Sequence, residues 1–230
     1  MNAVMQKWWD ELRAAGAVWQ HSRDPRAPHV VLRSGRHSDG FIDTLQYLSA
    51  VRNLEAAAHA LERELNFELR AGTVDWVFGS PMAGVPIATV VALQLRADHI
   101  AFTEKTGKDG KELVCRFDVP AGESVLCVEE MSTTGQTPQR SIDAIRARNP
   151  RARILPYVGA FLIRCANDPP ELKDAKFVPV VSLPMLDIAF NEWPAEFCPL
   201  CRVGSRAIEN CKRVWKDLLR TMEDPTHLVP

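Results

Sequence analysis

The stretch "SVLCVEEMSTTGQTPQRSI", residues 124–142, ends an apolar run at Val128 with two adjacent acids, Glu129 and Glu130, and then gathers hydroxyl residues around Gly135. The continuous run from Val125 to Val128 has the composition of a strand buried on both faces of a parallel sheet, and residues 138–148 read as the helix that follows it. A strand that turns through glycine into a helix leaves backbone N–H groups free at the helix start, where the dipole also favours an anion. Thr133, Thr134 and Thr137 add hydroxyl donors, so the turn can hold a phosphate monoester without a cationic side chain. The acids cannot share that task, because carboxylates repel phosphate. A sugar diol, or a hard metal ion held by that diol, would give them a partner. On the residues alone, a polar strand end leading into an acid-rich helix turn remains the other reading.

Working outward, residues 74–78 read as a strand, 79–84 as a loop, 85–96 as a helix and 98–102 as a strand. Residues 103–111, "TEKTGKDGK", form a polar, lysine-rich loop before a β-like run over 112–118. Residues 154–163 and 177–183 supply two more strands. Strands alternating with helices imply an α/β fold with a mostly parallel open sheet and helices on both faces. An amphipathic helix is expected over 4–15, and a second over 53–69, capped by Asn53 and striped by Leu54, Ala58, Leu61 and Leu65. "HVVLRSGRHSDGFID", residues 29–43, reads as strand, loop, strand. Proline becomes frequent after 168, so the carboxyl end is expected to form a small irregular hood closing in a helix over about 205–222. The organisation expected is a single domain over 1–230, with helix 4–15 at its start and the Pro-rich cap and helix within 168–230.

The 230 residues are 46% hydrophobic and 25% charged, enough to bury a core, and 28 basic against 29 acidic side chains leave a net charge of -1. Such a balance provides no global field for nucleic acid. No window has the roughly 20 apolar residues of a membrane helix, and the amino end has no signal-peptide pattern, so a cytoplasmic protein is expected. Six scattered cysteines fit a reducing compartment. Only Cys198 and Cys201, in "CPLC", form a motif. With Cys211 and His227 as the nearest further ligands, a metal site, a reduced structural pair and a redox-labile dithiol all stay open.

"VLCVEEMSTTGQT" resembles the phosphoribosyl pyrophosphate motif of the type I phosphoribosyltransferases: apolar strand, acidic pair, hydroxyl-rich loop around glycine. Three further segments resemble the orotate phosphoribosyltransferase branch and fall in its order. They are "LRSGRHSDGFID" (32–43) as the base-site segment, "FGSPMAGVPIA" (78–88) as the pyrophosphate loop and its helix, and "FTEKTGKDGK" (102–111) as the catalytic loop. The resemblance spans roughly residues 30–145. It implies transfer of ribose 5-phosphate from phosphoribosyl pyrophosphate to a nitrogenous base, a pyrimidine such as orotate, with Mg2+ and release of pyrophosphate. It also implies a homodimer in which loop 103–111 reaches the neighbouring site.

By that resemblance Glu129 and Glu130 hold the ribose diol, and Ser132, Thr133, Thr134, Gly135, Gln136 and Thr137 hold the 5-phosphate. Ser80, Pro81, Met82, Ala83 and Gly84 cradle the pyrophosphate, while Ser34, Arg36 and Phe41 belong to the base site. Lys105 and Lys108 would meet charge developing on the leaving pyrophosphate and exclude water, although a solvated hairpin is the plain reading of that loop. Arg33 and His37 are further candidates for an anionic base, and Gln139 and Arg140 are placed for a base carboxylate. The chain departs from the branch in three places: Glu130 stands for an Asp, Glu104 for an Arg, and Gly110 for a His. The loss of cations near pyrophosphate motivates an alternative, a non-catalytic sensor of phosphoribosyl pyrophosphate or a nucleotide.

Overall fold

The computed structural model describes residues 3–69, 72–107, 112–165 and 170–229. In chain order they form α1 (Ala3–Ala14), β1 (Val18–Gln20), β2 (His29–Val31), β3 (His37–Ser38), β4 (Gly40–Ile42), α2 (Thr44–Leu48) and α3 (Val51–Leu69). There follow β5 (Trp76–Gly79), α4 (Gly84–Leu95), β6 (His99–Phe102), β7 (Glu104–Thr106), β8 (Glu112–Val114), β9 (Ser124–Ser132), α5 (Gln136–Arg148), β10 (Arg153–Ile163) and β11 (Lys176–Ser182). The carboxyl end adds β12 (Glu192–Trp193), α6 (Pro199–Arg202), β13 (Ala207–Ile208) and α7 (Trp215–Arg220). These elements make two compact units, one of residues 1–6 and 48–187, the other of 7–47 and 188–230.

The first unit is built on a five-stranded sheet ordered β11-β10-β9-β5-β6, every neighbouring pair parallel. This is the expected α/β architecture. Alternation along β10 sorts the helices: Val158 packs in one cluster with Ile142 and Ile145 of α5, while a Cβ on Gly159 would meet Leu65 and Leu61 of α3 at 3.1 and 3.4 Å. Neighbouring residues on a strand point to opposite faces, so α3 and α5 cover opposite sides of the sheet. Ala58, Leu61 and Leu65, three of the four residues expected as the apolar stripe of α3, are fully buried. Pro156, which cannot donate to a ladder, lies in the irregular stretch between the Ile154↔Val125 and Val158↔Cys127 pairs, and Pro179 lies on the edge strand β11.

Several boundaries differ from expectation, and Asn53, expected as the cap of the second long helix, lies inside α3, which begins at Val51. The strand expected to end at Val128 continues through both acids to Ser132, because Glu129, Met131 and Ser132 still pair with Ala160, Leu162 and Ile163. The β-like run expected to 118 stops at Val114. Beyond it the Asn149 side chain replaces a strand neighbour, accepting from Val119 N at 2.9 Å and donating to Phe117 O at 3.1 Å. The helix expected over 205–222 is broken into β13, a 3-10 turn Cys211–Val214 and the short α7. Left-handed backbone at Asn210 (φ 51°) interrupts it, and Gly204 (φ 86°) ends α6 just before the expected start.

In the second unit β1 pairs antiparallel with β4, and a four-stranded sheet runs β12-β3-β2-β13. Its core gathers Trp19, Val30, Ile208, Trp215, Leu218 and Val229. Both indoles satisfy their N–H groups, Trp19 on Thr221 Oγ1 at 3.1 Å and Trp215 on Gly16 O at 2.9 Å. Gly40 admits no side chain, since an added Cβ would lie 1.9 Å from the Phe190 ring. No described helix is long and apolar enough to cross a membrane.

Candidate active site

Strands β5 and β9 lie side by side in the sheet, and the helices that follow them diverge to opposite faces. After β5 the chain crosses through α4 to β6 on one side, whereas β9 and its helix α5 continue on the other. The carboxyl ends of β5 and β9 therefore flank a topological switch point, the place where an open parallel sheet offers a ligand crevice. The acid pair and the loop 80–83 both stand there, in register through Gly79↔Val128.

Two helix starts meet at this crevice without side-chain caps: Ala83 before α4 and Gly135 before α5. Gly135 has φ 72°, and a Cβ there would meet Leu172 Cδ2 at 3.0 Å and Pro170 at 3.4 Å, so the turn needs glycine for both conformation and space. Ser132 is buried and its Oγ accepts the Gly135 N–H at 3.2 Å, which holds the turn. Thr133, Thr134, Gln136 and Thr137 are exposed. The turn thus leaves these four side chains open to solvent. On the other loop the Ser80 N–H donates to Val128 O at 3.1 Å and the Gly84 N–H to Ser80 O at 3.2 Å. Met82 is exposed, Pro81 and Ala83 are half-buried, and the Pro81–Met82 peptide is cis.

Glu129 and Glu130 are both buried. Glu129 lies against the start of α4, where its Oε1 would be 3.5 Å from a Cβ on Gly84, and it accepts the Glu130 N–H at 3.1 Å. Burial first, and the neighbouring Glu130 carboxylate second, push the Glu129 carboxyl up to about 8, against the opposing effects of the Ser80 hydroxyl and Lys105. A neutral Glu129 can donate a hydrogen bond and does not repel an incoming phosphate.

The lysine loop is partly described. Its stem is the antiparallel pair β7–β8, with Lys105 opposite Leu113 and exposed to solvent. Lys108 and Gly110 lie outside the described residues. Glu104, the acid that departs from the branch pattern, is neutralised by Arg116 at 2.8 Å. Sequence reasoning missed that partner because it comes from the far side of the hairpin. It also missed Pro170 and Leu172, whose packing on Gly135 has no local signature. Gln139 and Arg140 are engaged on the surface of α5, with Gln139 Oε1 accepting Lys173 N at 2.9 Å and Arg140 donating to Gln136 Oε1 at 3.2 Å.

The base-site candidates belong to the second unit. Ser34 is exposed, and Arg36 donates to Glu192 O at 2.7 Å. Arg33 and Phe41 line a cavity of about 640 Å³ that also includes Lys212 and Arg213, and Phe41 stands 5.8 Å from the Trp215 ring. His37, expected on an exposed loop, is buried with its ring directed at His29.

No protein-family model matches the chain. It is 34% identical over 176 residues to the orotate phosphoribosyltransferase of Thermus thermophilus, covering 76% of this chain and 88% of that one. With the orotate phosphoribosyltransferase of Heliobacterium modesticaldum it shares 33% over 194 residues, covering 84% and 93%. The fold matches the crystal structure of orotate phosphoribosyltransferase from Aeropyrum pernix with a TM-score of 0.56 at 20% identity, over 77% of this chain and 95% of that one.

Proposed function

The chain belongs to the orotate phosphoribosyltransferase family, and on that premise we propose that it transfers ribose 5-phosphate from phosphoribosyl pyrophosphate to a pyrimidine base, orotate first among them, releasing pyrophosphate. The observation that supports this most is the placement of the buried acid pair of β9 directly before the uncapped start of α5, at the switch point of the sheet.

In this reading the hydroxyls of the exposed Thr133, Thr134 and Thr137 and the N–H groups at the start of α5 bind the 5-phosphate, with Gly135 allowing close approach. Glu129 and Glu130 hold the two ribose hydroxyls. The backbone of residues 80–84, backed by α4, receives the pyrophosphate. Lys105 and Lys108 neutralise charge developing on the departing pyrophosphate, and their loop excludes the water that would otherwise trap the sugar cation. The hard oxygen donors of ribose and pyrophosphate, beside the carboxyl groups of Glu129 and Glu130, fit Mg2+, which would lend further neutralisation of the leaving group. Catalysis is thus positioning and charge stabilisation. A homodimer in which loop 103–111 serves the neighbouring site, working in the cytoplasm, completes the proposal.

The sensor alternative rests on an anion at position 104 near pyrophosphate and on Gly110 in place of a loop His, the second of which lies outside the described residues. Arg116 already pairs with the Glu104 anion, which weakens the first of these grounds and favours the enzyme. The test is pyrophosphate release with Mg2+, phosphoribosyl pyrophosphate and a panel of bases. Turnover with orotate is expected. Tight binding of phosphoribosyl pyrophosphate with no turnover on any base would contradict the enzyme and leave the sensor.

A further inference from the structure

Far from the acid pair in sequence, the second unit gathers four side chains of a different chemistry. His29 of β2 and His37 of β3 face each other across an antiparallel pair whose register runs Val30↔Ser38 and Val31↔His37. Cys198 stands just before α6 and Cys201 lies within it, so the short turn of "CPLC" directs both sulfurs toward the same place. One ligand atom from each of the four lies within 4.8 Å of all the others. Cys198 Sγ is 3.6 Å and Cys201 Sγ 3.4 Å from His29 Nε2, Cys201 Sγ is 3.3 Å from His37 Nδ1, and the two ring nitrogens are 2.8 Å apart. A tetrahedral Zn2+ with Zn–S of about 2.3 Å and Zn–N of about 2.0 Å has ligand-to-ligand edges of roughly 3.3–3.8 Å. The three sulfur–nitrogen separations fall in that range, and the nitrogen pair opens by about half an ångström to reach it.

The surroundings fix the tautomer. Ser205 Oγ donates its one proton to Ala27 O at 2.6 Å, so its contact with His29 Nδ1 at 2.9 Å is one in which the ring N–H donates. His29 Nε2 is then a bare lone pair, aimed at the other three ligand atoms. A ring N–H tied to a neighbouring acceptor is the support that metal-binding histidines receive. His29, His37 and Cys198 are buried, whereas Cys201 is exposed and gives a metal or a chelator its way in. The two further ligands that sequence spacing offered do not take part: Cys211 packs in the Trp19–Trp215 cluster, and His227 contacts Asp217 at 3.2 Å.

We propose that His29, His37, Cys198 and Cys201 bind one Zn2+ in a closed tetrahedral site that clips the carboxyl-terminal CPLC turn to the β2–β3 hairpin, 169 residues away along the chain from Cys198 to His29. Four protein ligands leave no open position, so the role is structural. Two thiolates balance the ion's charge, and each releases its proton on binding. Soft sulfur and imidazole select zinc over magnesium, so this site is chemically separate from the oxygen chemistry of the acid pair.

The test uses the full chain, reduced and stripped of metal with a chelator, then titrated with zinc alone and with cobalt alone. Expected are about one tightly held zinc per chain, a rise in melting temperature on reloading, and a cobalt spectrum with thiolate charge-transfer bands and the strong visible bands of tetrahedral coordination. Cys201→Ser, at an exposed position, is expected to cut zinc content to below about a tenth per chain, while Cys115→Ser retains it. Sub-stoichiometric binding by the reduced wild-type chain, a cobalt spectrum without thiolate bands, or full zinc retention in Cys201→Ser would each overturn the proposal.

Discussion

At Glu129 a carboxyl group is enclosed beside a second carboxyl, and the direction of its shift sets the sign of a pH response. An unfolded Glu releases its proton near 4.5 whereas the folded one keeps it to about 8. Across that window the native state binds more protons than the unfolded state, so stability of the ligand-free protein falls as pH rises from about 4.5 to about 8. Glu129→Gln removes the response: its unfolding free energy is expected to exceed that of wild type at pH 8 by an amount of order a few kcal/mol, and to match it near pH 4.5, as urea melts at the two pH values would read. At Lys105 the expectation concerns rate. Lys105→Ala is expected to lower kcat about a hundredfold or more while KM for phosphoribosyl pyrophosphate changes little, since in the proposed reaction the lysine meets charge that develops on the leaving group. A raised KM with unchanged kcat in steady-state kinetics would assign it to ground-state binding instead.

Elements carry the geometry these residues need. The start of β9 is pinned to the residue before β5, Ser124 donating to Asp75 Oδ2 from both Oγ (2.6 Å) and N (2.7 Å), and these bonds hold the Asp75 carboxyl below its ordinary range. Its contribution is present above the unfolded value of 3.8 and is lost as pH falls further, the opposite sign to Glu129. On the α3 face, Leu65 fills the space over Gly159, so Leu65→Ala is expected to destabilise by about 2–5 kcal/mol in urea melts, with the pH response of Glu129 retained. The strands and helices of the sheet were legible in the sequence because each has its own periodicity and punctuation. The apolar run before Glu129 and the glycine after Ser132 marked both ends of the turn between β9 and α5. What stayed hidden was non-local: Arg116 on Glu104, Leu172 on Gly135, and the asparagine side chain that replaces a strand after Val114. The carboxyl-terminal helix was misjudged because left-handed backbone at Asn210 has no signal in a helical pattern.

Across the whole molecule, two chemistries occupy two units. The first unit offers oxygen ligands and helix starts suited to a phosphorylated sugar, and the second gathers two imidazoles and two thiols. "CPLC" was visible in the sequence, but its partners were not, since the β2–β3 pairing that brings His29 and His37 together is set by the fold and not by spacing. If the second unit is held by zinc, chelation is expected to lower the melting temperature, whereas a chelator-treated Cys201→Ser chain shows no further loss.

The central claim is that the turn after β9 binds the ribose 5-phosphate moiety while the adjoining acids hold its hydroxyls. Calorimetric titration of phosphoribosyl pyrophosphate with Mg2+ into wild type, Gly135→Val and the double variant Glu129→Gln/Glu130→Gln tests it most directly. The account predicts saturable binding to wild type that weakens about tenfold or more in each variant, with ribose 5-phosphate competing at the same site. Unchanged affinity in both variants, with each still folded by circular dichroism, would contradict it.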